Sequence, residues 1–118
     1  MLLAFRILEV VGPEQVTRLD LSGWSMRSLE VLAPFVNLTN LNLSGCRSLE
    51  SLEGLAGCAQ LTSVDLNGCV SLESLAGLEG CAKLTSLDLS YCEALPESHQ
   101  KFWEGDDLQR FLQSLELF

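Results

Sequence analysis

The sequence predicts an α/β solenoid: short coils stacked so that parallel strands line one side, tight turns line the other, and a helix closes the C-terminal end. Three observations carry this expectation. Residues 38–60 (LTNLNLSGCRSLESLEGLAGCAQ) match residues 61–83 (LTSVDLNGCVSLESLAGLEGCAK) at about two-thirds of positions without a gap, so the chain repeats itself every 23 residues. Inside each copy the apolar spacing changes from two to three, as it must if a strand gives way to helical turns. The last stretch has apolar residues at helical spacing.

Taken in order, residues 1–15 are expected to cap the first coil. They open on an apolar run broken by Arg6 and Glu9, without a basic leader or small-residue cleavage site, and end at the turn Gly12-Pro13. Periodicity leaves strand and helix both open for this segment. Repeats follow at 16–37, 38–60, 61–83 and, half present, 84–98, all within one domain spanning 1–118. In each, a period-two stretch points Leu19 and Leu21, Leu41 and Leu43, Val64 and Leu66, or Leu87 and Leu89 inward. The spacing then becomes three, as in Leu49, Leu52, Leu55 and Leu72, Leu75, Leu78, which suits 3₁₀ turns where side chains at i and i+3 eclipse. The repeat breaks at Leu95-Pro96, and residues 99–118 are expected to form a cap helix. There Leu108, Phe111, Leu112 and Leu115 share one face, and Asp106 and Asp107 sit at the start to cap the helix and oppose its dipole.

Each copy reduces to LxxLxLxxC followed by LxxLxxL, and over residues 16–98 this resembles the leucine-rich-repeat family. The resemblance implies a right-handed coil in a short horseshoe arc, strands on its concave face and 3₁₀ or turn segments on its convex face. The family usually has asparagine at the ninth position; here Cys46, Cys69 and Cys92 stand there, with Trp24 in the first copy. Their place just past the strand predicts a structural ladder of inward thiols, each facing a backbone carbonyl that would otherwise be unpaired. Cys58 and Cys81 form a second inward row, aligned with Phe35. The stretch LPESHQKFWEGDDLQRFLQSLE is also similar to the segment that follows repeat arrays in bacterial Roco-type GTPases, although the sequence contains no GxxxxGK[ST].

Composition narrows the functions. A net charge of −9, spread along the chain, disfavours nucleic acid and anionic membranes as partners. No apolar run approaches the roughly 18 residues of a membrane span. Five cysteines with packing roles, no CxxC pair and no histidine beside them argue against both a disulfide framework and zinc, and reduced thiols imply the cytoplasm. The two Asn-x-Ser/Thr matches at Asn37 and Asn42 fall in or beside predicted strands and are read as chance. The single histidine, His99, has no nucleophile or carboxylate at a diagnostic spacing. The expectation is therefore no enzyme, no cofactor and no metal.

What remains is the strand face. Asp20, Asn42, Asp65 and Asp88 occupy one position in successive coils, flanked by Arg18, Asn40, Ser63 and Ser86 on one side and Ser22, Ser44, Asn67 and Ser90 on the other. Asp65 and Asp88 would stand about 5 Å apart across parallel strands. Like charges that close are expected to hold protons more tightly or to welcome a cationic partner. Tyr91 replaces the glycine of the other copies, and Arg18 and Trp103 are further candidate anchors. The candidate partner-binding set is thus Arg18, Asp20, Asn40, Asn42, Asp65, Asn67, Asp88 and Tyr91. The leading expectation is a non-catalytic protein-interaction module whose partner offers a basic segment. Alternatives are a regulatory or sensing part of a larger enzyme such as a Roco-type GTPase, and a structural or engineered repeat scaffold. Irregular ends and retained cysteines argue against design.

Overall fold

The computed structural model describes residues 12–115. Residues 1–11 of the expected cap at 1–15, and residues 116–118 of the expected cap helix, lie outside the described residues. After a 3₁₀ turn at Pro13–Gln15, five three-residue strands form one open sheet in chain order: β1 (Arg18–Asp20), β2 (Asn40–Asn42), β3 (Ser63–Asp65), β4 (Ser86–Asp88) and β5 (Phe102–Glu104). The helix α1 (Gly105–Ser114) follows β5 directly.

β1 to β4 are parallel and in register, so Leu19, Leu41, Val64 and Leu87 face one another, as do Asp20, Asn42, Asp65 and Asp88. Backbone pairing runs on past the short strands: Leu21 N donates to Asn42 O at 2.8 Å, and Gly23 N to Ser44 O at 2.9 Å, with the same bonds one coil later. The strands are short because the chain turns at once. Gly23, Gly45 and Gly68 take φ of 77°, 71° and 76°, a left-handed conformation that swings the chain off the sheet.

The returns on the far side are tight turns with 3₁₀ segments at Glu30–Leu32 and Leu78–Gly80. Neighbouring coils touch backbone to backbone there. Gly77, at φ 116°, lies so close to the coil before it that a Cβ would overlap the Leu52 carbonyl and stand 3.0 Å from the Leu52 side chain. Between sheet and turns the leucines are sealed: Leu38, Leu43, Leu49, Leu52, Leu55, Leu61, Leu66, Leu72 and Leu78 are fully buried, and no polar or charged residue joins them among the described residues. Burying a side chain of this size contributes about 1.5–3 kcal/mol. A single coil has no second surface to bury it against, so the row of stacked copies makes the core.

The C-terminal end corrects the expectation of an all-parallel sheet with a purely helical cap. β5 is antiparallel to β4, with Leu87 opposite Trp103 and Asp88 opposite Phe102. The cause is chain length: 13 residues (89–101) separate β4 from β5, against 20 (66–85) between β3 and β4, so the chain cannot complete a return and comes back from the near end. The 3₁₀ turn Glu97–His99 makes that reversal. α1 then lays Leu108, Phe111 and Leu112 on the core. Its N-cap, Glu104, makes no side-chain capping bond, so Asp106 and Asp107 act only as charges in the first turn, not as caps.

Candidate functional site

The outward face of the sheet is built by strand alternation. With Leu41, Val64 and Leu87 buried, the residues on either side must point the other way: Asn40, Asn42, Ser63, Asp65, Ser86 and Asp88 are half-buried, while Arg18 and Asp20 at the β1 end are exposed. The structure therefore brings Arg18, Asp20, Asn40, Asn42, Asp65 and Asp88 together on one face, with the half-buried Asn67 past the end of β3.

The acidic row also does a local job that sequence reasoning missed. In each coil the side-chain oxygen accepts a hydrogen bond from the backbone N–H two residues on, at 2.9 Å: Ser22 to Asp20, Ser44 to Asn42, Asn67 to Asp65 and Ser90 to Asp88. These are Asx turns that hold the chain as it leaves the strand, and either Asp or Asn can make them. One Oδ1 is thereby fixed in each carboxylate and its plane is set. Asp20 goes against the expectation of tighter proton binding: hydrogen bonds from Ser22, first its hydroxyl and then its backbone N–H, hold the Asp20 carboxyl below its ordinary value.

A second unforeseen row is threonine. Thr39, Thr62 and Thr85 donate their hydroxyls to the carbonyls of Thr17, Thr39 and Thr62 at 3.1, 3.1 and 3.0 Å, one coil back each time. The Leu-Thr pair that recurs before β2, β3 and β4 was the available signal.

Cys46, Cys69 and Cys92 are buried, and their thiols donate to Leu21 O, Leu43 O and Leu66 O at 3.2, 3.1 and 3.1 Å. Those carbonyls are not otherwise unpaired, which corrects the sequence argument. Each already accepts a turn N–H, from Trp24, Cys46 or Cys69, and the thiol is a second donor on the same oxygen. Desolvation pushes the thiols up, to about 12 for Cys69 and about 11 for Cys81 and Cys92. Such thiols stay protonated and unreactive at neutral pH. Among the described residues no group of three or more His, Cys, Asp and Glu side chains could hold a metal ion. Among them, too, no helix is long and apolar enough to cross a membrane.

The candidate aromatic anchors separate: Tyr91 is exposed at the strand exit, and Trp103 packs against the core. Tyr91 stands 69% exposed at φ 61°, in the left-handed position that glycine fills in the other coils. Trp103 faces inward, stacked on Phe111 at 4.0 Å with Nε1 donating to His99 O at 3.0 Å, so it seals the cap. Its neighbour Phe102, which sequence reasoning passed over, takes the outward place opposite Asp88 and is 51% exposed. On the far side, Glu73, Leu75, Leu95, Pro96, His99 and Leu115 line an open cleft of about 240 Å³. His99 is packed edge-on against Phe111 at 5.0 Å.

Compared with known proteins, the chain matches the family model described as the endo-beta-N-acetylglucosaminidase EndoS LRR domain, over residues 13–116. No curated protein and no solved structure matches it. The match runs through β5 and α1, so the closing strand and helix lie within the family's own span. The chain belongs to the leucine-rich-repeat family, in the group typified by that domain.

Proposed function

We propose that the chain is a non-catalytic module that binds a partner protein on the concave face of a right-handed, short horseshoe coil, through its strand residues and adjoining loops. Leucine-rich-repeat domains generally mediate protein–protein interaction, and this chain belongs to that family. The observation that carries the reading is the division of labour along each strand. A floor of buried leucines holds the coil, and the in-register residues between them reach solvent without contributing to that floor. Of the four charged side chains on β1 to β4, Asp20, Asp65 and Asp88 are acidic and Arg18 is basic, which favours a partner with a basic segment over nucleic acid or an anionic membrane. Five buried protonated thiols fit a reducing compartment, and cytoplasm is our reading of location.

Affinity purification of the chain beside an Asp65→Asn/Asp88→Asn/Tyr91→Gly variant tests this. A partner kept by the wild type and lost by the variant supports the face as the site; equal recovery from both removes it.

A second reading has its own support. The matching family is named for a repeat domain of an endo-beta-N-acetylglucosaminidase. On that ground the chain would serve as a binding or positioning part of a larger glycosidase, a form of the larger-enzyme reading that stands beside the Roco-type GTPase form. Endo-beta-N-acetylglucosaminidase activity in the product of the intact gene would support it, and a product without that activity would count against it.

A further inference from the structure

The cap strand changes what the face offers. β5 runs beside β4 with Phe102 opposite Asp88 and Glu104 opposite Ser86, so both exposed side chains join the outward rows. From β2 to β5 those rows hold Asp65, Asp88 and Glu104 and no lysine or arginine. Phe102 sits one residue from the Leu89 N to Lys101 O hydrogen bond, in the closely spaced kind of antiparallel pair. A half-exposed ring therefore stands on the strand position beside Asp88, with Asp65 on the next strand. Because the Asx turns already occupy Oδ1 of Asp65 and Asp88, each carboxylate is oriented before any ligand arrives, and Oδ2 is left to accept.

We propose that β5 is part of the docking surface as well as a lid, and that it seats an arginine of an extended basic protein segment. The guanidinium bridges Asp65 and Asp88, and its flat side lies on Phe102. This deepens the reading of the face as a protein-docking surface and rests on it. Charge complementarity and shape together select arginine. Two carboxylates on neighbouring strands stand about 4.8 Å apart, a span that an ammonium also reaches, but the planar, multi-donor guanidinium meets both while keeping a flat side free for the ring. The ring beside them favours a planar cation again. Arg18 and Asp20, both exposed on β1, balance each other, so the uncompensated negative charge lies from β3 to β5 and the segment lies across the strands with its basic end there.

The test titrates the intact chain, labelled with ¹⁵N, with an acetylated tetra-arginine peptide, its tetra-lysine counterpart and a neutral N-acetylglucosamine oligomer. Tetra-arginine should bind more tightly than tetra-lysine and shift the amides around Asp65, Asp88 and Phe102. Asp65→Asn/Asp88→Asn should weaken it about tenfold, since two charge-assisted bonds are lost. Glu50→Gln/Glu53→Gln, an equal charge loss at exposed positions on the convex side, should change it less than about twofold. Phe102→Ala should remove the preference for arginine over lysine. Equal losses from both charge pairs would mean undirected attraction and overturn the proposal. So would shifts of these amides by the sugar oligomer and not by tetra-arginine. A protein partner that is captured through the face and tolerates Asp65→Asn/Asp88→Asn would leave the module reading standing and sink this one.

Discussion

Replacing Gly77 by alanine should cost about 3 kcal/mol, and the structure says where that comes from. At φ 116° an L-residue is held in a sparsely populated region, for about 1–3 kcal/mol. The new Cβ would also overlap the Leu52 carbonyl, which belongs to backbone that cannot yield without shifting a coil; overpacking of this kind costs about 1–3 kcal/mol. The smaller entropy of the unfolded alanine chain favours the folded state by about 0.5–1 kcal/mol and offsets part of this cost. Gly23→Ala is the matched control. Its φ is 77° and nothing lies within 4 Å of the added methyl, so only the dihedral term of about 1 kcal/mol applies. Urea unfolding followed by the fluorescence of Trp24 and Trp103, at unchanged m, reads the difference of about 2 kcal/mol, and thermal midpoints should separate by roughly 5–10 °C. If the two variants lose the same stability within about 0.5 kcal/mol, close backbone contact between coils is not what fixes their spacing.

Alkaline pH should unfold the domain early. The folded chain holds its thiol protons more tightly, to about 12 at Cys69 against an ordinary 9.0, so the unfolded chain ionises first. Stability is then intact below about pH 9 and falls as pH rises toward the folded values, by up to about 1.4 kcal/mol per pH unit for each such thiol. Urea midpoints from pH 8 to 11 measure the slope, and Cys69→Ala should flatten it. Tyr91→Gly should raise stability by about 0.5–1 kcal/mol, since φ 61° suits glycine, even as it removes an exposed aromatic from the rim. Thermal melts check that; a loss of stability would mean the Tyr91 ring packs favourably. Asp88→Asn should leave the fold within about 0.5 kcal/mol of wild type, because Asn42 makes the same turn with Ser44, whereas Asp88→Ala should cost about 1 kcal/mol. Thr62→Val, which strips the hydroxyl from Thr39 O, should cost about 1 kcal/mol by the same measurement.

The strands and the C-terminal helix were legible because their signals are periodic. Leucine alternates with polar residues across β1 to β4, and Leu108, Phe111 and Leu112 mark one side of α1. β5 was not legible. Three residues, Phe-Trp-Glu, carry no period, and nothing local says which aromatic turns inward; the decision rests on Phe111, a helical residue that stacks on Trp103. The strand face could be drawn from register alone, since equivalent positions in a repeat must align. What each residue does there could not, because Asx turns and shared carbonyls depend on where backbone N–H groups point after the turn. Asp20 shows the difference: a carboxylate in a row of acids suggests repulsion, while its nearest partner, Ser22, holds it ionised.

The reversed direction of β5 also limits how such a chain can lengthen. An added repeat needs a parallel neighbour on each side, and the last edge presents an antiparallel strand that leads straight into a helix. A duplicated unit appended after residue 115 would find no matching edge. One inserted between residues 83 and 84 would keep both ends intact and extend the stack by about 4.8 Å. The two central copies, alike at about two-thirds of their positions, are the units that such an insertion would multiply.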